Sequence, residues 1–307
     1  MSISKSDSFF IRIISYTNER FPIIPILLFS AFITVNGAFS GLYLFTDTIV
    51  TKFSASLVLG LFSNFLMMFH LRLMDEFKDY DEDVIAYPDR LLSRGVVTLK
   101  DLKLLLIACI GIEFVLNLFI GAESLILWFM VFIYSFLMFK EFFIEKILNK
   151  SMALYLVSHQ LILPIIALYC FSLSTDLNMD QLLSLKSAAA ILLISLPSFI
   201  FEIGRKTWNP EREQQTADSY TKVWGIKKTV VVINLATLIY GMVAGAFFST
   251  QFFMSYSGMI FILLLFLTII ISSVFAYKPT AKNSKMVEGV TSAVLLLGHL
   301  LCVIYFI

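Results

Sequence analysis

The chain has 307 residues, 59% of them hydrophobic and 15% charged, with a mean hydropathy of +0.87 and a net charge of +1. A water-soluble domain of this length needs a mostly polar surface, so the composition excludes that class and marks an integral membrane protein. No basic-aromatic pattern points to nucleic acid, and Cys109, Cys170 and Cys302 stand at unrelated spacings that argue against a disulfide framework or a thiolate metal centre.

Residues 1–21 carry Lys5, Asp7, Arg12, Glu19 and Arg20 among Phe9, Phe10, Ile13 and Ile14. They read as an interfacial amphipathic segment rather than a cleavable signal peptide. Nine apolar segments follow, each long enough to cross about 30 Å of hydrocarbon at about 1.5 Å per residue. They are predicted at 22–45, 53–74, 104–121, 122–139, 151–173, 185–203, 229–249, 252–275 and 287–307. The alternating ten-residue strands of a barrel are absent. The expected fold is all-α, with 22–307 as one nine-helix transmembrane domain and the loops at 75–103 and 204–228 as its polar cap.

Charge distribution tests this topology independently of hydropathy. Twenty of the 23 Lys and Arg residues fall before the first span or after the second, fourth, sixth and eighth; Lys52 and Lys186 fall on the other side and Arg72 near the end of the second span. The N-terminus and both polar loops are therefore expected in the cytoplasm. Glu113 with Asn117, and His159 with Gln160, are polar groups inside spans that face the bundle interior and favour interhelical hydrogen bonding. His70, one turn before the acidic run, is placed to hydrogen-bond a ligand or the groups around it, and His299 reads as structural. Most of the 31 Phe and 12 Tyr side chains are expected to face lipid or core.

The second span runs directly into LRLMDEFKDYDEDVIAYPDRLLSRG, residues 71–95, which holds seven of the chain's 22 acids. If the helix continues past Met74, Asp75, Asp79 and Asp83 recur at i, i+4 and i+8 and project from one face, drifting about 40° per step. Two carboxylates about 6 Å apart repel by roughly 3 kcal/mol at an effective dielectric of about 20, so three of them at a membrane boundary favour a bound cation. Oxygen ligands without Cys or His support select Mg²⁺, Mn²⁺ or Ca²⁺ over zinc. Mg²⁺ takes one or two protein carboxylates and completes its shell from water and phosphate, so the spacing implies a metal-bridged phosphate ligand. The competing reading is a solvated acidic loop that ends the helix and pairs with Lys78, Arg90 and Arg94. Placement at the membrane edge, with Arg72 one turn before Glu76, weighs against it.

The run DEFKDYDEDVIAYPDRLLSRG resembles the first aspartate-rich motif of the UbiA superfamily of intramembrane prenyltransferases, Asn-Asp-x-x-Asp-x-x-x-Asp followed by a segment like R-P-x-R-P-x-x-S-G. Asp75 stands at the Asn position, Glu76 at the next acid, and Asp79 and Asp83 at the later aspartates, with Tyr87 through Arg90 and Ser93 through Gly95 following. Two polar loops, after the second and sixth of nine spans, also match that family. The second loop, FEIGRKTWNPEREQQTADSYTKVWG at 201–225, departs from the family's Asp-x-x-x-Asp: Glu202 takes the first position but Lys206 stands at the second, preceded by Arg205. Glu211, Glu213 or Asp218 could then supply a second metal ligand from the loop.

The resemblance implies a central cavity open to the cytoplasmic side, in which Mg²⁺ (or Mn²⁺) holds an allylic prenyl diphosphate. Asp75, Asp79, Asp83 and Glu202 would be the catalytic metal ligands. Arg72, Lys78, Arg90, Arg94, Arg205 and Lys206 would contact diphosphate, and Tyr220 would order the second loop over it. Partners would be the bilayer, the prenyl diphosphate and a lipophilic or aromatic acceptor. Two further readings stay open: a UbiA-type membrane terpene cyclase that ionises farnesyl or geranylgeranyl diphosphate without an acceptor, and a non-enzymatic membrane carrier.

Overall fold

A computed structural model of the chain describes residues 3–46, 54–177, 179–213 and 219–307. The helices, in chain order, are α1 (Phe9–Arg20), α2 (Ile23–Thr46), α3 (Ala55–Lys78), α4 (Tyr80–Ala86), α5 (Leu99–Ile120), α6 (Ala122–Phe139), α7 (Glu145–Leu148), α8 (Met152–Gln160), α9 (Ile162–Phe171), α10 (Met179–Leu182), α11 (Leu185–Arg205), α12 (Tyr220–Trp224), α13 (Ile226–Phe247), α14 (Thr250–Met254), α15 (Tyr256–Tyr277) and α16 (Ala281–Phe306). Among the described residues there is no strand, and nine helical segments are long and apolar enough to cross a membrane: α2, α3, α5, α6, α8 with α9, α11, α13, α15 and α16. The protein is an integral, multi-pass membrane protein.

Each predicted span has its helix, and the boundary differences have local causes. The second span extends through Asp75 and Glu76 to Lys78 because the backbone ladder continues, the Asp79 amide still donating to the Asp75 carbonyl at 2.8 Å. The last span begins at Ala281 rather than 287, because Thr280 caps it by accepting a hydrogen bond from the Asn283 amide. At Gly121, φ is +152°, a conformation open in practice only to glycine, and this single residue turns the chain from α5 into α6. A capping box of Thr98 and Asp101 starts α5.

The central helices are α2, α9, α11 and α16, whereas α5 and α6 present exposed apolar side chains such as Ile107, Phe119, Ile126 and Phe136 outward. With no hydrophobic drive between helices in lipid, close approach comes from small residues. Cβ atoms added at Gly37 and Gly204 would collide with Cys170 and Thr291 respectively, so these glycines set the α2–α9 and α11–α16 distances. Gly204→Val is therefore expected to destabilise the protein by about 1–3 kcal/mol, read as a lower thermal-unfolding midpoint in detergent. An unchanged midpoint would mean that α16 yields at no cost.

Buried polar pairs fasten the helices. Asn36 Nδ2 lies 2.9 Å from His299 Nδ1, and Asn64 donates to Thr34 at 2.8 Å. Glu113 receives Trp128 Nε1 at 2.9 Å and sits 2.8 Å from His70 Nδ1, while Asn117 donates to Ser63 at 2.7 Å. Glu113 and Asn117 thus bridge α5 to α3 and α6 as the interhelical reading expects, and His70 and His299 are core hydrogen-bonding groups away from the cavity described next; His159 and Gln160, given the same reading, line that cavity instead.

Helix α1 lies against the chain between α4 and α5. Arg12 donates to the Val96 carbonyl and to Asp101, both at 2.8 Å, and the Glu19 carboxylate accepts from the Leu91 amide at 3.1 Å. Tyr16 is wholly buried, while Phe10, Ile11 and Ile14 are exposed, giving α1 one apolar face without a protein partner.

Candidate functional site

A cavity of about 740 Å³ opens between α2, α3, α8, α9, α11 and α16 at the end of the bundle where α3 and α11 terminate. Its mouth is polar, with Arg72, Asp75, Lys78, Asp79, Glu202, Arg205, Lys206 and Tyr220 on the wall. Further in, Phe29, Leu71, Leu163 and Leu295 make it apolar. Such a space suits a molecule with a charged head and a greasy tail.

Asp75 sits in the last turn of α3 and is nevertheless exposed, because it faces the open cavity. Asp79 ends that helix with φ −95° and ψ 9°, and the ladder resumes through the Asp83 amide, which donates to the Asp79 carbonyl at 2.8 Å. The interruption corrects the expectation of a continuous three-acid face. Asp83 is instead clasped by Arg90 at 2.6 Å and Arg20 at 3.1 Å, and lines an adjoining chamber of about 640 Å³ rather than the cavity. Arg90 also covers the Tyr87 ring, 3.5 Å from its centroid. Neither Arg90 nor the exposed Arg94 lines the cavity.

The remaining acids of this loop end sort themselves by partner. Glu76, 2% exposed, is held by Arg72 at 2.6 Å and Arg20 at 2.7 Å. Glu202, on the facing wall, is gripped by Arg205 at 2.5 Å, with Lys206 Nζ at 3.8 Å and the Tyr220 hydroxyl at 3.5 Å. Its carboxylate therefore holds the cations and the second loop in place. The Tyr220 amide also donates to the Lys206 carbonyl at 3.2 Å, fixing α12 over the end of α11. In that loop Glu213 accepts from Ser219 and Thr221, Glu211 is exposed away from the cavity, and Asp218 lies outside the described residues.

Among the acids named here, Asp75 and Asp79 alone line the cavity with carboxylates that make no hydrogen bond or ion pair to a described residue. Burial raises the pKa of Asp79, with Asp83 and Glu82 adding to it and Lys78 and Arg72 opposing. Burial lowers that of Lys206, helped by Arg205 and opposed by Glu202 and Asp79. The mouth thus holds underpaired charge of both signs. Among the described residues no three His, Cys, Asp or Glu side chains form a ready cage for a metal. Two free carboxylates, all-oxygen and side by side, fit Mg²⁺ of the kind that keeps its other positions for water and phosphate.

A third wall was not foreseen. Lys78 Nζ lies 2.5 Å from Glu141 and donates to the Tyr155 hydroxyl at 2.7 Å, and the His159 ring stacks on Tyr155 with centroids 3.9 Å apart. Glu141 reaches inward from a turn, Glu141–Phe143, whose three non-glycine residues all have positive φ (47°, 52° and 58°). Such a conformation is costly and is held only by surrounding contacts. The spacing of Tyr155 and His159, i and i+4 in an apolar helix, was the one available signal, as polar groups there turn inward. Glu141 gave none, since it follows the span in an ordinary charged stretch.

No protein-family model matches the sequence, and no curated protein is similar to it in sequence. Solved structures are similar in fold. A UbiA homologue from Aeropyrum pernix K1 superposes with a TM-score of 0.65 over 92% of this chain and 98% of its own, at 13% identity. A digeranylgeranylglyceryl phosphate synthase gives 0.62 over 95% and 98%, at 14% identity. A UbiA homologue from Archaeoglobus fulgidus, bound to GPP and Mg²⁺, gives 0.52 over 94% and 99%, at 12% identity. The chain has the UbiA fold. In this UbiA fold the two polar loops and the acid-bearing ends of α3 and α11 meet around one cavity, as the resemblance in the first loop implied.

Proposed function

We propose that this chain is an intramembrane prenyltransferase, which binds an allylic prenyl diphosphate through Mg²⁺ at the cavity mouth and transfers the prenyl group to a lipophilic or aromatic acceptor. The observation that carries the reading is the pair of unpartnered carboxylates, Asp75 and Asp79, facing Arg205 and Lys206 at the head of an apolar cavity. The UbiA homologue with bound GPP and Mg²⁺ supports it by analogy of fold.

Mg²⁺ bound there would offset charge developing on the leaving diphosphate as the allylic C–O bond ionises. Asp75 and Asp79 would supply its protein oxygen ligands. Arg205 spends its Nε on Glu202, which leaves both terminal nitrogens to donate to diphosphate oxygens in the bidentate manner that suits guanidinium. Lys206 adds a second cation, and Lys78 and Arg72 border the same space. Glu202 and Tyr220 are positioning residues on this reading. The apolar lower wall keeps water from trapping the carbocation, and the mouth faces the cytoplasm because the basic residues cluster there.

The test is incubation of the purified protein with Mg²⁺ and farnesyl or geranylgeranyl diphosphate, with and without quinone-type aromatic acids, followed by mass spectrometry. A prenylated acceptor supports transfer. Cyclic hydrocarbon without an acceptor supports the cyclase, and no diphosphate release under any condition supports the carrier. Arg205→Ala is expected to raise KM for the prenyl diphosphate about 10- to 100-fold, the worth of charge-assisted hydrogen bonds to one phosphate group. A KM equal to that of the unaltered protein removes Arg205 from the site.

A further inference from the structure

Among the described residues, the Lys and Arg side chains on the cavity wall are Arg72, Lys78, Arg205 and Lys206, and each is matched with a glutamate. Arg72 is taken by Glu76 one turn further along α3, and Arg205 and Lys206 by Glu202 on α11, so these pairs form within a single helix turn. Lys78 is the exception. On α3 its natural partner is Asp75, one turn back on the same face, in the acid-before-base order that favours pairing on a helix. Its ammonium goes instead to Glu141, far along the chain, at 2.5 Å, and to the Tyr155 hydroxyl at 2.7 Å.

A strained piece of chain makes this detour. Glu141, Phe142 and Phe143 form the turn between α6 and α7 in which every residue has positive φ and none is glycine. A side chain makes that region costly, and a run of it persists only where neighbouring contacts impose it. The Phe142 ring does so here, set edge-on against Tyr134 and His159 with centroids 5.5 and 5.9 Å away. What the turn delivers is one carboxylate, 11% exposed and off the cavity wall, to a lysine that is on it. Backbone strain of this kind gathers where a side chain has to be aimed.

Resting on the prenyltransferase reading above, we infer that Glu141 is a positioning residue for the metal site: it draws the Lys78 ammonium away from Asp75 and Asp79 and so keeps both carboxylates open to a divalent cation. Without it, Lys78 falls back on Asp75 by the short route along its own helix, and Mg²⁺ has to displace an ammonium tethered beside its ligands. Glu141 touches neither metal nor substrate and acts through Lys78 alone.

The experiment measures Mn²⁺ binding to the full protein in lipid nanodiscs by electron paramagnetic resonance, without substrate; the part lost when Asp75→Asn and Asp79→Asn are combined defines the site. Glu141→Gln is expected to raise the Mn²⁺ dissociation constant there about 10-fold, the scale of one charge-assisted hydrogen bond. The Mg²⁺ concentration for half-maximal release of diphosphate from farnesyl diphosphate should rise alike. Adding Lys78→Met to Glu141→Gln is expected to return Mn²⁺ binding to at least its original strength, a rescue that a merely structural Glu141 would not give. Tyr155→Phe removes only the second hold on the ammonium. It is expected to shift Mn²⁺ binding the same way by a smaller factor, and it carries the test if Glu141→Gln does not fold. Unaltered Mn²⁺ binding in the folded variants, or a loss that Lys78→Met does not repair, overturns the inference, while turnover of the unaltered protein leaves the prenyltransferase reading standing. If the unaltered protein binds no Mn²⁺ at the two aspartates the inference falls as well, and the prenyltransferase reading falls with it where diphosphate release is also absent.

Discussion

Asp79→Asn is expected to lower diphosphate release about 100- to 1,000-fold while leaving the protein folded. The substitution keeps the side chain's shape and removes one of two unpartnered carboxylates on the cavity wall. On the proposed reading, loss of one such group weakens the hold on Mg²⁺, and electrostatic groups aimed at developing charge are commonly worth about 10²- to 10³-fold each. Folding should not suffer, because burial already disfavours the Asp79 charge and nothing in the described protein bonds to it. Asp75→Asn should behave alike. Asp83→Asn is the control: its carboxylate belongs to Arg20 and Arg90, so it should reduce stability more than turnover. Full turnover in Asp79→Asn with an unaltered Mg²⁺ requirement would remove the metal assignment.

Glu76→Ala is expected to cost about 2–3 kcal/mol of stability, seen as a thermal-unfolding midpoint lower by several degrees. Glu76 is 2% exposed and bonds two arginines, one from its own helix and one from α1. Removing one member of a buried ion pair typically costs about 3–5 kcal/mol, since the partner's charge is left uncompensated. The figure is reduced here because Arg20 keeps Asp83 and Arg72 is partly open to solvent. Glu76→Gln should recover part of the loss by retaining an acceptor. A midpoint that does not move in the alanine variant would show that α1 is held by Arg12 and Glu19 alone.

Much of this was legible before any coordinates. The nine spans follow from length and hydropathy, and the placement of Asp75, Asp79, Glu202, Arg205 and Lys206 around one opening follows from two polar loops that each trail an acid-ended helix. What the residues could not disclose was which acids are free. Glu76 and Asp79 look alike in a run of carboxylates, yet Arg20, 56 residues from Glu76, claims one and no cation claims the other. Glu141 was hidden for the same reason, because its partner Lys78 lies far away in sequence and only packing brings them together. Asp83 shares the face of Asp75 and Asp79 only if the helix runs unbroken, and a single residue outside helical dihedrals at Asp79 turns it to Arg20 and Arg90 instead.

The first twenty residues have a practical bearing on how the protein is handled. Arg20 supplies half of the counter-charge on Glu76 and part of that on Asp83, while Arg12 and Glu19 pin the same stretch to the start of α5. Trimming the chain to begin at the first span would strip the Arg20 charge from Glu76 and Asp83. An affinity handle is therefore better placed away from α1.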